Sequence, residues 1–351
     1  MKKMSERISI MILMVMVSFL LQACGSKAEE YKEEPKEGKI SVSGKFGLIT
    51  GELGDRGYND MHYNGMIEAR KRFGIDFEYC EAADPQEAAV MMETLIRNGA
   101  ATIFVGQGYD NNTVVDSLSL DYPEIRFILI DGLALHQRRN VAAIVFKANE
   151  GSFLVGALAA LVSRTRKIAL VGGEDIPEIN NFRIGFEAGA RYILPDIELI
   201  VDFIGRYDDK ISPWFNPERA YTISLDLYRN QDVDLIFPAA GASVLGTFRA
   251  ANEVKRYAVG VDSDQGYFYP GYILTSMVKN INIAIVMMIK EIVEGRFEAK
   301  TYYMGLAENG VGLAPMIQNP EIIPDSVLNR INEIREMILE KKLVVKSIYH
   351  E

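Results

Sequence analysis

The stretch Asn140–Gly156 reads N-V-A-A-I-V-F-K-A-N-E-G-S-F-L-V-G, and the fold can be worked out from it. An alternating apolar run, Val141–Phe146, reads as a strand. It meets a polar corner at Lys147–Glu150, after which Gly151 and Gly156 open a long apolar helix. Small residues at those positions let the helix pack closely on the strand or on a neighbouring lobe. A strand that runs straight into a buried helix is the basic unit of an α/β protein.

The same unit recurs on both sides of this stretch. Upstream, strands are expected at Lys45–Thr50, Asp76–Cys80, Thr102–Val105 and Arg126–Ile130, the last ending at Asp131. Between them lie a Gly-rich loop with a helix through Arg72, a helix opened by Asp84-Pro85, and a helix over Val114–Leu120. Asp as N-cap with Pro at the first helical position is a strong start signal. Downstream, strands are expected at Lys167–Val171, Glu198–Phe203, Leu235–Phe237, Tyr257–Val261 and Ile273–Ser276. The helices there are placed near Asn180–Tyr192, at Pro217–Arg229, through Val254, and over Val278–Glu294. Two βα lobes joined by crossovers predict a bilobal binding protein that closes about a hinge. A periodic terminal helix, Asp325–Leu339, is expected to strap across one lobe.

At 351 residues the chain can bury two ordinary cores, and 48% hydrophobic with 25% charged residues is globular composition. A formal charge of −10 excludes the basic footprint of a nucleic-acid binder. The N-terminus has a basic start (Lys2, Lys3, Arg7), an apolar run (Ile8–Leu21) and then Leu21-Gln22-Ala23-Cys24. This resembles a lipoprotein signal peptide, with Gln22 a slight departure from the small residue usual there. The apolar run is short for a bilayer span, so Cys24 is expected to carry a lipid after cleavage. Residues 25–44, rich in Glu and Lys, read as a flexible tether. The folded part is expected to span 45–315, with lobe 1 at about 45–150 plus part of the C-terminal region, lobe 2 at about 160–275, and a C-terminal segment at 316–351. Cys80 is the other cysteine and is expected to be an inert buried thiol. Three histidines and two cysteines offer no metal-ligand spacing. His62 and His136 read as surface or helix residues.

Ligands of open α/β sheets sit beyond the carboxyl ends of the strands. The segments that follow the strands are rich in Gly, Asn, Asp and Tyr, and hold no nucleophile–base arrangement, so no enzyme chemistry can be assigned. The loop Gly51–Asp60 lacks both the G-K-[S/T] ending of a phosphate loop and G-x-G-x-x-G spacing.

That loop, the opening stretch, and the segments G-G-E-D-I-P, F-R-I-G-F-E-A-G-A, F-P-A-A-G, Y-A-V-G-V-D-S-D-Q, L-T-S-M-V-K and G-V-G-L-A-P resemble, in order, the basic-membrane-protein family of substrate-binding lipoproteins. Together they cover most of 44–315. The resemblance implies an α/β, two-lobed periplasmic-binding-protein-like (type I) fold, each lobe a parallel sheet flanked by helices. It also implies capture of a nucleoside, foremost a purine nucleoside, for an ABC permease and its ATPase, at the cell membrane, by a monomer with no cofactor. By the same resemblance Tyr58 and Tyr207 stack on the base, and Asn59 bonds its edge. Asp55 takes a conserved-motif place beside them, Gly241 lies at the backbone approach, and Asp262 and Lys279 bind the ribose hydroxyls. A carboxylate and a lysine on vicinal hydroxyls make a chemically sensible clamp.

Three departures stand out. Gly51 occupies the place of one family acid, and Asn111 that of a second. The segment Asp208–Phe215 is longer than the family's loop and carries the single tryptophan, Trp214, either as a lid or as a loop anchor. Loss of an acid facing a buried base donor would cost roughly 1.5–3 kcal/mol. Asn111, Asp110 or Glu52 could compensate. A surface adhesin or antigen with an altered cleft, and a ligand sensor, remain rival readings.

Overall fold

The computed structural model describes residues 44–206, 212–316 and 321–349. Cys24, the tether and Tyr207 lie outside the described residues. In lobe 1, β1 (Lys45–Thr50) stands between β2 (Phe77–Glu81) and β3 (Ala100–Val105). Beyond β3 come β4 (Arg126–Ile130), β5 (Val141–Phe146) and a late strand, β11 (Thr301–Met304), all parallel. In lobe 2 the order is β7 (Glu198–Phe203), β6 (Lys167–Gly172), β8 (Leu235–Ala239), β9 (Tyr257–Asp262), β10 (Ile273–Lys279) and β12 (Val311–Leu313). There β12 alone pairs antiparallel. The central strands are buried along nearly their whole length, which is why they read as unbroken apolar runs.

Helices α1 (Tyr58–Phe73), α2 (Pro85–Arg97), α3 (Gly108–Asp121) and α8 (Ile281–Val293) cover the first sheet. Helices α4 (Ala148–Val162), α5 (Pro177–Ile193), α6 (Pro217–Arg229) and α7 (Val244–Val254) belong with the second, and α9 (Asp325–Leu339) packs on α4. The Asp84 carboxylate caps α2 by accepting from Glu87 N–H at 2.8 Å. The chain crosses between lobes three times, at Lys147, at Asn280 and over 305–310.

Gly156 does permit close packing, though against a helix of its own lobe. A Cβ there would lie 2.0 Å from Phe186 O on α5, and one at Gly189 of α5 would lie 1.9 Å from Phe153 O on α4. The two helix backbones therefore touch through glycine. Gly151 meets a strand instead, with Met277 Sδ of β10 2.8 Å from its Cβ position.

Some element boundaries differ from expectation. Helix α3 starts six residues early, so Tyr109–Asn112 form its first turn rather than a loop. Helix α5 begins at Pro177 and so includes Glu178. Strand β10 continues to Lys279, which makes Lys279 a strand end and not a helix residue. Strands β11 and β12 were not anticipated. Cys80 is a free thiol but only half-buried, and burial and then the Glu78 charge raise its pKa, which disfavours the thiolate.

Candidate functional site

A cavity of about 300 Å³ lies between the two sheets, walled by residues at the carboxyl ends of strands from both lobes. That size suits a small molecule. Lobe 1 contributes Gly51 and Tyr58 after β1, Gln107 after β3 and Asp131 after β4. Lobe 2 contributes Glu178 and Phe182 of α5, Trp214, Gly241 after β8, Asp262 of β9 and Lys279 of β10. Four of these strand ends use left-handed backbone: Gln107 (φ 50°), Asp131 (φ 56°), Gly241 (φ 53°) and Asp262 (φ 66°). Residues held in that region cluster at ligand sites because the turn aims the side chain.

Tyr58 opens α1 and is braced on two sides. Its hydroxyl accepts from Gln107 N–H at 3.3 Å, and the His62 ring meets it edge-on with centroids 4.6 Å apart. His62 is a helix residue, as expected, but on the inner face of α1, fully buried, with no hydrogen-bond partner for either ring nitrogen among the described residues. Burial, then the Lys279 charge, lower its pKa to about 3, so the ring is neutral and serves as floor beneath Tyr58. His136 is exposed, its Nδ1 3.0 Å from Asp116.

Asn59 is buried beside Thr50, whose hydroxyl donates to its Oδ1 at 3.4 Å. Asp55 lines the cavity, yet its carboxylate is engaged by three backbone N–H groups, those of Gly57, Asn59 and Asp60. It holds the loop and the start of α1, and so positions Tyr58 and Asn59.

Asn111 does not line the cavity. It turns back under α3, donating from Nδ2 to Gly106 O and Gln107 O, while its buried Oδ1 finds no partner. Glu52 and Asp110 do line the cavity. Gln107 occupies the space an acid at position 51 would need, since a Cβ on Gly51 would meet Gln107 Nε2 at 2.7 Å and both Asn59 amide atoms at about 3 Å. A neutral amide therefore stands where the resemblance implied a carboxylate.

Lys279, also in the cavity wall, is buried, with Nζ 2.5 Å from Asp131 Oδ2. It also lies 5.2 Å from the Tyr58 ring centroid and 5.0 Å from that of Phe182. Burial lowers the lysine's pKa, but Asp131 and Asp262 outweigh this and raise it above the ordinary value. Asp262 is raised to about 7 by burial, opposed by Lys279 and reinforced by Asp55 and Asp131. The ion pair of Lys279 is thus with Asp131 of the other lobe, not with Asp262. Asp262 makes no side-chain hydrogen bond among the described residues, so its carboxyl is available to a ligand.

Trp214 sits in a short 3-10 turn, Pro213–Phe215, whose Pro213 carbonyl accepts from Ser243 Oγ at 2.6 Å. Its ring covers Gly173, where a Cβ would come 2.4 Å from Cζ3. It lines the cavity, which favours the lid over the anchor. Gln107 and Asp131 fall at strand ends, where the sequence points to a ligand but gives them no role, whereas Glu178 and Phe182 of α5 are wall residues that sequence reasoning missed. The lobes also touch outside the cavity, where Ser263 Oγ donates to Arg56 O at 2.7 Å.

Residues 46–348 match the Bmp family, described as ABC transporter substrate-binding protein PnrA-like. Basic membrane protein A of Borreliella afzelii is 30% identical over 322 residues, 87% of this chain and 95% of that protein. An uncharacterized lipoprotein of Pyrococcus abyssi is 27% identical, spanning 100% of this chain and 89% of its own length. An ABC transporter solute-binding protein from Aeropyrum pernix K1 superimposes with a TM-score of 0.74 at 24% identity, over 86% of this chain and 94% of that one, so the fold is the same. Such proteins are solute binders rather than enzymes; they take a small ligand outside the cytoplasm and work with permease and ATPase components. No helix of the described residues is long and apolar enough to cross a membrane. The chain belongs to the Bmp family of ABC transporter substrate-binding proteins.

Proposed function

We propose that this chain captures a nucleoside, with a purine nucleoside the best fit, by closure of the lobes about the three crossings. The observation that carries this reading is the presence of two chemistries in the one cavity. Tyr58 and Trp214 bring aromatic rings from opposite lobes, while Asp262, Lys279 and Asp131 bring charged acceptors and a donor to the same cavity, with Lys279 Nζ 5.2 Å from the Tyr58 ring centroid. A flat base with a hydroxylated sugar matches both chemistries, and stacking contributes about 1–3 kcal/mol per base. Trp214 offers lobe 2 a stacking ring in addition to Tyr207, which lies outside the described residues. Among the described lining residues seven are carboxylates and one, Lys279, is a cation, so a neutral nucleoside is favoured over a phosphorylated one. A lipid on Cys24 would hold the receptor at the membrane, where acyl labelling lost in Cys24→Ser is the check.

The test is isothermal titration of the ligand-stripped domain (Gly38 onward) with adenosine, guanosine, inosine, cytidine and uridine, alongside Tyr58→Ala. Tight binding of a purine nucleoside, weakened at least tenfold in the variant, is expected. A folded sample that binds none of the five would sink the proposal.

A further inference from the structure

The last described residues of the chain reach Glu178, a residue of the cavity wall. After α9, the tail runs along the seam between α4 and α5 and is fixed there by two buried asparagines. Asn149 Nδ2 donates to Val345 O and Lys346 O at 3.1 and 3.3 Å. Asn181 Oδ1 accepts from Ser347 Oγ and Ile348 N–H at 3.2 and 3.3 Å. Asn149 and Asn181 are 2% and 0% exposed, so the tail satisfies polar atoms that water cannot reach. Tyr349 then donates its hydroxyl to Glu178 Oε1 at 3.2 Å.

Glu178 lines the cavity, and its second oxygen, Oε2, is buried with no hydrogen-bond partner from another side chain or loop among the described residues. A buried carboxyl oxygen without a partner is costly unless something else meets it. Asp131 and Lys279, of the proposed sugar clamp, line the same cavity, and their charges act on Glu178. Glu178 stands in the first turn of α5, where the helix N-terminus also favours an acid and its own backbone N–H meets the carboxyl.

Resting on the nucleoside reading above, we infer that Glu178 is a further ligand-contacting, specificity-determining residue that takes a sugar hydroxyl of the ligand, and that Tyr349 of the C-terminal tail is the residue that positions it. A hydroxyl can both donate to and accept from a carboxyl, so the contact survives either protonation state. The tail thereby makes the extreme C-terminus part of the binding site, although no cleft segment lies near it in sequence.

The test measures affinity by titration calorimetry for wild type, Glu178→Gln, Tyr349→Phe and the double variant. The probes are the tightest of adenosine, guanosine and inosine, with its 2′-, 3′- and 5′-deoxy analogues. Glu178→Gln is expected to weaken the parent nucleoside roughly tenfold to a hundredfold, yet one deoxy analogue by less than about threefold, because that analogue lacks the hydroxyl concerned. Tyr349→Phe should weaken the parent by a smaller factor and add nothing in the Glu178→Gln background. Equal loss for the parent and all three analogues, or no loss, overturns the assignment of Glu178. A Tyr349→Phe loss that persists undiminished in the double variant overturns the positioning role. Thermal unfolding of each variant separates these effects from damage to the fold. If wild type binds no nucleoside, the nucleoside reading fails and this inference falls with it, an outcome distinct from the other two.

Discussion

Lys279 Nζ and Asp131 Oδ2 lie 2.5 Å apart, with the lysine side chain 4% and the aspartate side chain 10% exposed. The pair joins the end of β10 in lobe 2 to the end of β4 in lobe 1. Burial makes such a pair expensive to break from one side, because the remaining charge cannot be rehydrated. It is also the one fixed cation among the described wall residues.

Replacing Lys279 with Met should therefore cost stability as well as ligand. Two buried carboxyls, Asp131 and Asp262, would lose their common counter-charge. A loss of about 3–5 kcal/mol is expected in urea unfolding, with a smaller loss for Asp131→Asn. A change near zero for Lys279→Met would mean that water reaches the pair freely.

How much of this could be read from the chain alone is clearest at particular residues. The buried parallel strands announce themselves as short apolar runs, and Asp84-Pro85 and the periodic run 325–339 mark their helices without ambiguity. Glu178 escaped because the start of α5 was placed at Asn180; Pro177 at the first helical position was the signal for an earlier start. Met277 and Val278 fit a strand or a helix equally, so the end of β10 was blurred. Strands β11 and β12 are too short to show a pattern and exist because β5 and β10 offer them edges. Asp131 meets Lys279 from 148 positions away, and local pattern holds no information on such a contact. The burial of His62 follows from which face of α1 the β3–α3 turn covers, which is equally a tertiary matter.

Trp214 is the chain's single tryptophan, so its fluorescence reports one place. A bound nucleoside should shift or quench that emission. Trp214→Ala is expected to weaken binding by about 1–3 kcal/mol, the value of one stacking platform. Gly173→Ala should do the same indirectly, since the new methyl would displace the ring it faces at 2.4 Å. If both variants bind as wild type, Trp214 merely anchors its loop.

Gly51 and Gln107 are expected to be coupled. An aspartate at 51 would collide with Gln107 Nε2 and the Asn59 amide, so Gly51→Asp alone should reduce nucleoside affinity at least tenfold. Shortening the neighbour, as in Gly51→Asp with Gln107→Ala, opens that space and should recover part of the loss. The measurement is a double-variant cycle by calorimetry. Strict additivity of the two changes would show that Gln107 does not occupy the missing acid's place.

Asp262 supplies a pH signature. Its carboxyl has an ordinary value of 3.8 and is raised to about 7 in the fold, by burial first, with Lys279 opposing and Asp55 and Asp131 adding to the rise. Below about pH 4 the folded and unfolded chains both hold this proton. Between about pH 4 and 7 the folded state keeps it while the unfolded state releases it, so this group's contribution to stability falls as pH rises, by at most about 1.4 kcal/mol per unit. Surface carboxylates in ion pairs, such as Glu218 with Arg249, have lowered values and act in the opposite direction. Their contribution is common to wild type and Asp262→Asn and cancels in the difference. Denaturant unfolding of both proteins across pH 4–8 should show wild type losing ground to Asp262→Asn as the pH approaches 7, with no further divergence above it. Parallel curves would mean that water reaches the Asp262 carboxyl in the folded protein, and the buried acceptor assigned to the sugar would have to be sought elsewhere.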